Sequence, residues 1–133
     1  MPPIGYQKMV EEARDEIENM PLEDALEAHA ADGNDVVFVD IRDVRELGRE
    51  GMIPGAFHAP RGMLEFWIDP ESPYHKDVFA SGKKLIFYCN TSWRSALATQ
   101  TAQRMGLASV AHIDGGFTAW KAGGGPVVER TRK

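Results

Sequence analysis

The chain has 133 residues, enough for one domain around a single core and too few for two ordinary ones. Its 43% hydrophobic and 26% charged content is that of a globular domain and argues against both a disordered chain and a membrane protein. A formal net charge of −5 without a basic stripe argues against general binding to nucleic acid or to an anionic membrane, so any anion must be caught at a local site.

The opening segment, MPPIGYQKMVEEARDEIENM, lacks the continuous apolar stretch of a secretory leader. No other stretch approaches the roughly 20 apolar residues of a membrane span, and the lone Cys89 cannot form an internal disulfide. The cytoplasm is the expected compartment. Over residues 6–19, Met9, Val10, Ala13 and Ile17 recur at helical spacing between acids, which predicts an amphipathic helix. In MPLEDALEAHAADGN, Pro21 suits a first helical turn, Leu22, Ala25 and Leu26 form an apolar stripe, and Gly33 is the expected stop. The period then changes: DVVFVDIR is a β-branched run too apolar for a half-exposed strand and reads as a buried parallel strand ending near Asp40.

DVRELGREGMIPGAFHAPRG predicts a short helix to Gly48, a turn at IPGA and a short strand over 56–59. MLEFWIDPESPYHKDVFASGKK is helical first and loop-like through Pro70 and Pro73. KLIFYC is a second buried strand with Cys89 at its carboxyl end, and RSALATQTAQRMG is a helix from Arg94, with Ala98, Ala102 and Met105 on one face and Gly106 as its stop. VAHI is a third strand, DGGFTAWKAGG a turn and short helix, GGG at 123–125 a flexible exit, and ERTRK a fraying tail. Alternating strands and helices predict an α/β sheet covered on both faces, in which ligands bind outside the carboxyl ends of the strands. Cys89 is placed there.

A cysteine between a strand end and a helix start lies beneath backbone N–H groups that the first turn leaves unpaired, near the positive end of the helix dipole. Such positions favour a thiolate, and Arg94 adds a fixed charge at the far end of the loop. Asn90, Thr91 and Ser92 are small and polar, so their amides can line a cup around the sulfur. The competing reading is that Cys89 is an inert core residue, since free cysteines are among the most buried residue types. The small polar loop and the arginine favour a nucleophile or anion site instead.

YCNTSWRSALATQTAQRMG, with VFVDIRDVRELGREGMIPGAFHAPRG upstream and VAHIDGGFTAWKAGGGPV downstream, resembles a single-domain rhodanese, a sulfurtransferase. The resemblance implies a rhodanese-like three-layer α/β fold, a central, mostly parallel five-stranded sheet with helices on both faces. It divides the chain into an N-terminal helical extension (1–34), a rhodanese domain (35–128) and a flexible tail (129–133). It also implies that Cys89 takes a sulfane sulfur from thiosulfate, polysulfide or a similar donor, becomes a persulfide, and passes the outer sulfur to cyanide, a thiol or a protein acceptor. Asn90, Thr91, Ser92, Trp93, Arg94 and Ser95 would form the anion-binding loop, with no metal and no organic cofactor. Cell-cycle phosphatases and some arsenate reductases of the same fold have one more residue between Cys and Arg; the four here, Asn90 to Trp93, favour sulfur over phosphate. A module that only carries sulfur or binds a partner is the non-catalytic alternative. Many members carry Gly where Ser92 stands, and Ser must be forced into the left-handed conformation that Gly adopts freely. Many thiosulfate-preferring members also carry a basic residue where Asn90 and Thr91 are neutral, which makes thiosulfate a poor donor.

Asp40 and Arg42 lie at another strand's carboxyl end, and the resemblance places them in the framework beside the active site, with Arg42 paired to Glu46. Arg61 is expected near the mouth, attracting an anionic donor, and the neighbouring His58 is expected to be structural. Trp93 reads as a lip of the pocket or an anchor of the loop, with Phe66, Trp67 and Tyr74 extending the rim. Gly115, Gly116 and Trp120 read as architectural. His29, His75 and His112 have no mutual spacing that suggests a metal site.

Overall fold

The computed structural model describes residues 2–31, 33 and 35–130. Six helices, α1 (Tyr6–Glu16), α2 (Leu22–Ala30), α3 (Val44–Glu50), α4 (Leu64–Ile68), α5 (Trp93–Arg104) and α6 (Gly116–Ala122), surround five strands. The strands, β1 (Glu18–Met20), β2 (Val36–Asp40), β3 (Phe57–His58), β4 (Lys84–Tyr88) and β5 (Val110–Ile113), form one parallel sheet in the order β1-β5-β4-β2-β3. No helix among the described residues is long and apolar enough to cross a membrane.

The period of two in β4 assigns its side chains to opposite faces. Leu85, Phe87 and Cys89 join Val39, Leu64, Ile68, Phe79, Ala98 and Ala102 beneath α4 and α5. Ile86 and Tyr88 join Phe38, Ala25, Phe117 and Trp120 beneath α2 and α6. Burial on both faces is why the β2 and β4 sequences run apolar instead of alternating. Helix α1 lies outside this sandwich, with Val10 and Ala13 packed on Ala96 of α5.

Four sequence expectations are corrected. The helix predicted over 6–19 ends at Glu16, and residues 18–20 turn into a strand on the free edge of β5, pairing Glu18 with Ala111, Asn19 with His112 and Met20 with Ile113. An unpaired edge supplies backbone partners that outweigh weak local helix preference. Met9 and Met105, assigned to buried faces, are 46% and 40% exposed. Helix α3 continues through Gly48 to Glu50 and stops at Gly51, whose φ of +82° ends the helix while its missing Cβ leaves room for the Val128 carbonyl. The glycines at 123–125 are hydrogen-bonded to α6: their N–H groups donate to the Ala119, Lys121 and Trp120 carbonyls at 2.9, 3.1 and 2.9 Å, and Trp120 Nε1 donates to the Pro126 carbonyl at 2.8 Å. Val128 then bridges to Met52, while the last three residues of the expected fraying tail lie outside the described residues.

Candidate active site

Cys89 follows the last residue of β4 and is 1% exposed, with its sulfur 3.3 Å from the Ser95 N–H, a donor in the first turn of the 12-residue helix α5. The loop between them reverses direction at Ser92, at φ +92° the only non-glycine with positive φ among the described residues. The cost of that conformation, about 1 kcal/mol or more for a residue with a Cβ, is offset by its hydroxyl. Ser92 Oγ accepts from the Gly115 N–H at 2.7 Å and lies 3.4 Å from the Ile113 carbonyl, tying the loop to the end of β5. Helix α6 holds the loop's other side: the Phe117 and Thr118 N–H groups donate to the Cys89 and Asn90 carbonyls at 2.8 and 3.1 Å. That approach requires glycine at 116, because a Cβ there would meet both carbonyl oxygens at 2.5–2.6 Å.

Two of the loop's side chains, Asn90 and Arg94, are committed to Glu46 of α3 and to Arg42 just beyond β2. Arg94 donates to both oxygens of Glu46, Nη1 at 2.8 Å and Nη2 at 3.0 Å. Asn90 bridges two groups, donating to Glu46 Oε1 at 3.0 Å and accepting from Arg42 Nη1 at 3.1 Å. Fully buried, Arg42 uses all five N–H donors: two on Asp40 at 3.0 and 2.7 Å, one on Gly51 O at 2.8 Å, and one each on Glu50 and Asn90 at 3.1 Å. Burial works to lower the Arg42 pKa, and the hydrogen bonds and charge of Asp40 more than reverse this. The Arg94 bonds hold the Glu46 carboxyl below its ordinary value, and the same bonds, with a smaller contribution from Cys89, hold Arg94 above its own.

A buried chain of polar groups reaches the loop from the opposite side. Asn19 Nδ2 donates to the Arg14 carbonyl at 2.9 Å, so its Oδ1 faces His112 Nε2 at 2.7 Å. This pattern assigns the proton to Nε2 and makes Nδ1 the acceptor of the Ser95 hydroxyl at 2.8 Å. Burial, aided by the Arg14 charge and opposed by Asp114, pushes the His112 pKa down to about 4, so the ring is neutral near pH 7.

Of the residues singled out in the sequence, Cys89, Asn90, Ser92, Arg94 and Ser95 meet in one network, and Asp40 and Arg42 join it through Asn90. Thr91 is exposed in the loop. The expected Arg42–Glu46 pair is replaced by Arg42–Glu50 and Arg94–Glu46, because Asn90 stands between Arg42 and Glu46. Arg61, expected at the mouth, is instead held by Glu65 and Thr101 at 3.0 and 3.3 Å. His58 accepts its structural place, with Nε2 2.7 Å from the Arg42 carbonyl. Trp67 packs edge-on against Phe57, while Trp93, 53% exposed, has Tyr6 as its aromatic neighbour, ring centroids 5.0 Å apart. Sequence reasoning missed the link of Glu46 to Arg94, the Ser95–His112–Asn19 chain and the close approach at Gly116. Of these, only Gly116 leaves a local mark, as part of a Gly-Gly pair at a strand end.

A sequence model of the rhodanese-like domain matches residues 22–123. A sulfurtransferase from Allochromatium vinosum is 32% identical over 105 residues, covering 79% of this chain and 90% of that protein. A solved structure from Rhodopseudomonas palustris, a protein of unknown function described as a possible tyrosine phosphatase, is 53% identical with a TM-score of 0.92 over 96% of this chain and 99% of that one. The polysulfide-sulfur transferase homodimer of Wolinella succinogenes is 24% identical with a TM-score of 0.70 over 96% of this chain and 89% of that one, a likeness of fold. The strand-end cysteine loop, the sheet order that presents it and the match across most of the chain agree: this protein belongs to the rhodanese-like domain family.

Proposed function

We propose that the chain is a sulfurtransferase with Cys89 as its nucleophile. The observation that carries this reading is the Cys89 sulfur 3.3 Å from the Ser95 N–H at the start of α5, in a loop with four residues between Cys89 and Arg94. A thiolate there attacks the outer, sulfane sulfur of a donor. A new S–S bond forms on Cys89, and the donor's bond to that sulfur breaks, leaving its electron pair on the departing sulfite or thiolate. The amides of 90–95 surround the persulfide anion, and a thiol or cyanide acceptor then attacks the outer sulfur and returns Cys89 as thiolate. The named sulfurtransferase relative supports this class of reaction. A thiol that must stay reduced to react fits the cytoplasm.

Intact mass after brief incubation with polysulfide, and separately with thiosulfate, tests the reading. The parent gains about 32 Da, one persulfide sulfur, and the Cys89→Ser protein gains none. No gain on the parent with either donor, or an equal gain on Cys89→Ser, would overturn it. Hydrolysis of an aryl phosphate by the parent without persulfide formation would favour the phosphatase reading that the Rhodopseudomonas relative's description raises.

A further inference from the structure

Arg94 is the only cation in the loop from Cys89 to Ser95, and both of its recorded bonds go to Glu46. Glu46 in turn is saturated, accepting Arg94 twice, Asn90 Nδ2 at 3.0 Å and the Asp43 N–H at 3.0 Å. Its side chain is 15% exposed against 42% for Arg94, so the carboxylate is the more deeply set member of the pair. Adding the second tier, three carboxylates, Asp40, Glu46 and Glu50, face two guanidinium groups, Arg42 and Arg94, and the network carries one excess negative charge. A cavity of about 260 Å³ beside Asn90 is lined by Glu50, Phe117, Thr118 and Lys121, again one acid against one base. The attraction available to an anion therefore comes mainly from backbone amides and the start of α5, about half a unit charge, with Arg94 adding only what the Glu46 carboxylate leaves of its charge.

We infer that Glu46 is a specificity-determining residue that makes this site discriminate against divalent oxyanions. The inference rests on the sulfur-transfer reading for its consequence, which is a preference for sulfane donors bearing one charge or none, such as a thiol hydropersulfide. In that reaction Cys89 thiolate attacks the outer sulfur of R–S–SH and the R–S electron pair departs with the proton as R–SH. Cys89 is left as a persulfide anion, so charge and atoms balance. A sulfate or thiosulfate group can reach the three Arg94 N–H donors that Glu46 leaves open, but it then lies beside the Glu46 carboxylate, which offsets the guanidinium charge that would hold a dianion.

The test reads oxyanion binding directly, as protection of Cys89 from iodoacetamide by sodium sulfate, with chloride at matched ionic strength as reference. In the parent, sulfate protects no better than chloride. In Glu46→Gln the half-protecting sulfate concentration falls at least about tenfold, the effect on a dianion of removing one charge roughly 6 Å away even in a water-like dielectric. Asp43→Ala removes the helix cap while leaving the Glu46 carboxylate on Arg94, and keeps the parent's behaviour. Millimolar protection of the parent by sulfate would overturn the inference without any variant. An unchanged value in folded Glu46→Gln, or an equal shift in Asp43→Ala, would also overturn it. The mass gain of the parent with polysulfide judges the sulfur-transfer reading separately.

Discussion

Replacing His112 by Gln should flatten the dependence of stability on pH, and the size of the change follows from the ring's surroundings. Burial lowers its pKa from 6.5 to about 4 in the folded protein. Between these values the unfolded chain binds a proton that the folded one does not, so stability is complete above about 6.5 and is lost as pH falls towards 4. At 1.36 kcal/mol per unit the whole step is about 3 kcal/mol, of which about 2 falls between pH 7 and pH 5. That is a large fraction of the 5–15 kcal/mol that typically holds a domain folded. Urea, being uncharged, is the suitable denaturant, and unfolding midpoints and slopes are measured at both pH values for the parent and His112→Gln. Carboxylates such as Glu46 titrate in both proteins and cancel in the difference, which isolates the imidazole. The parent should lose about 2 kcal/mol more than the variant on going from pH 7 to pH 5. Equal losses would refute the reasoning: the ring would then be reached by water or supplied with an acceptor when charged.

At Ser92, alanine keeps the φ of +92° and discards the hydroxyl that receives the Gly115 N–H, so Ser92→Ala should cost about 1–3 kcal/mol in urea unfolding. Ser92→Gly loses the same bond but relieves the strain and should be about 1 kcal/mol more stable than Ser92→Ala; the reverse order would show that the left-handed backbone at 92 carries no such strain. Gly116→Ala places a Cβ against the Cys89 and Asn90 carbonyl oxygens at a φ of +62°. It should slow persulfide formation at least tenfold by displacing the peptide that carries the sulfur, followed as mass gain with time, and a parent-like rate would mean the loop tolerates that shift.

The sheet's central strands were legible because their information is local. An apolar β-branched run such as VVFV or LIFY has one way to satisfy both faces, which is burial between helices, and a small polar loop entering an alanine-rich helix marks where Cys89 emerges. The edge strand β1 was not legible, since Ile17 to Asn19 read as the end of the first helix and left it only because β5 offered an open edge. The site's chemistry divides along the same line. The sequence by itself determined which candidate groups share one loop: a thiol at a strand end, backbone amides at a helix start, and one arginine five residues after the thiol. Only the tertiary structure decided the charge around them, by pairing Arg94 with Glu46 across 48 positions and Arg42 with Glu50, and by joining Ser95 to Asn19 through a buried histidine. The physical reason is that a backbone N–H is placed by its neighbours in the chain, whereas the strength and partner of a charge depend on what folding brings within a few ångströms and on how much water it removes.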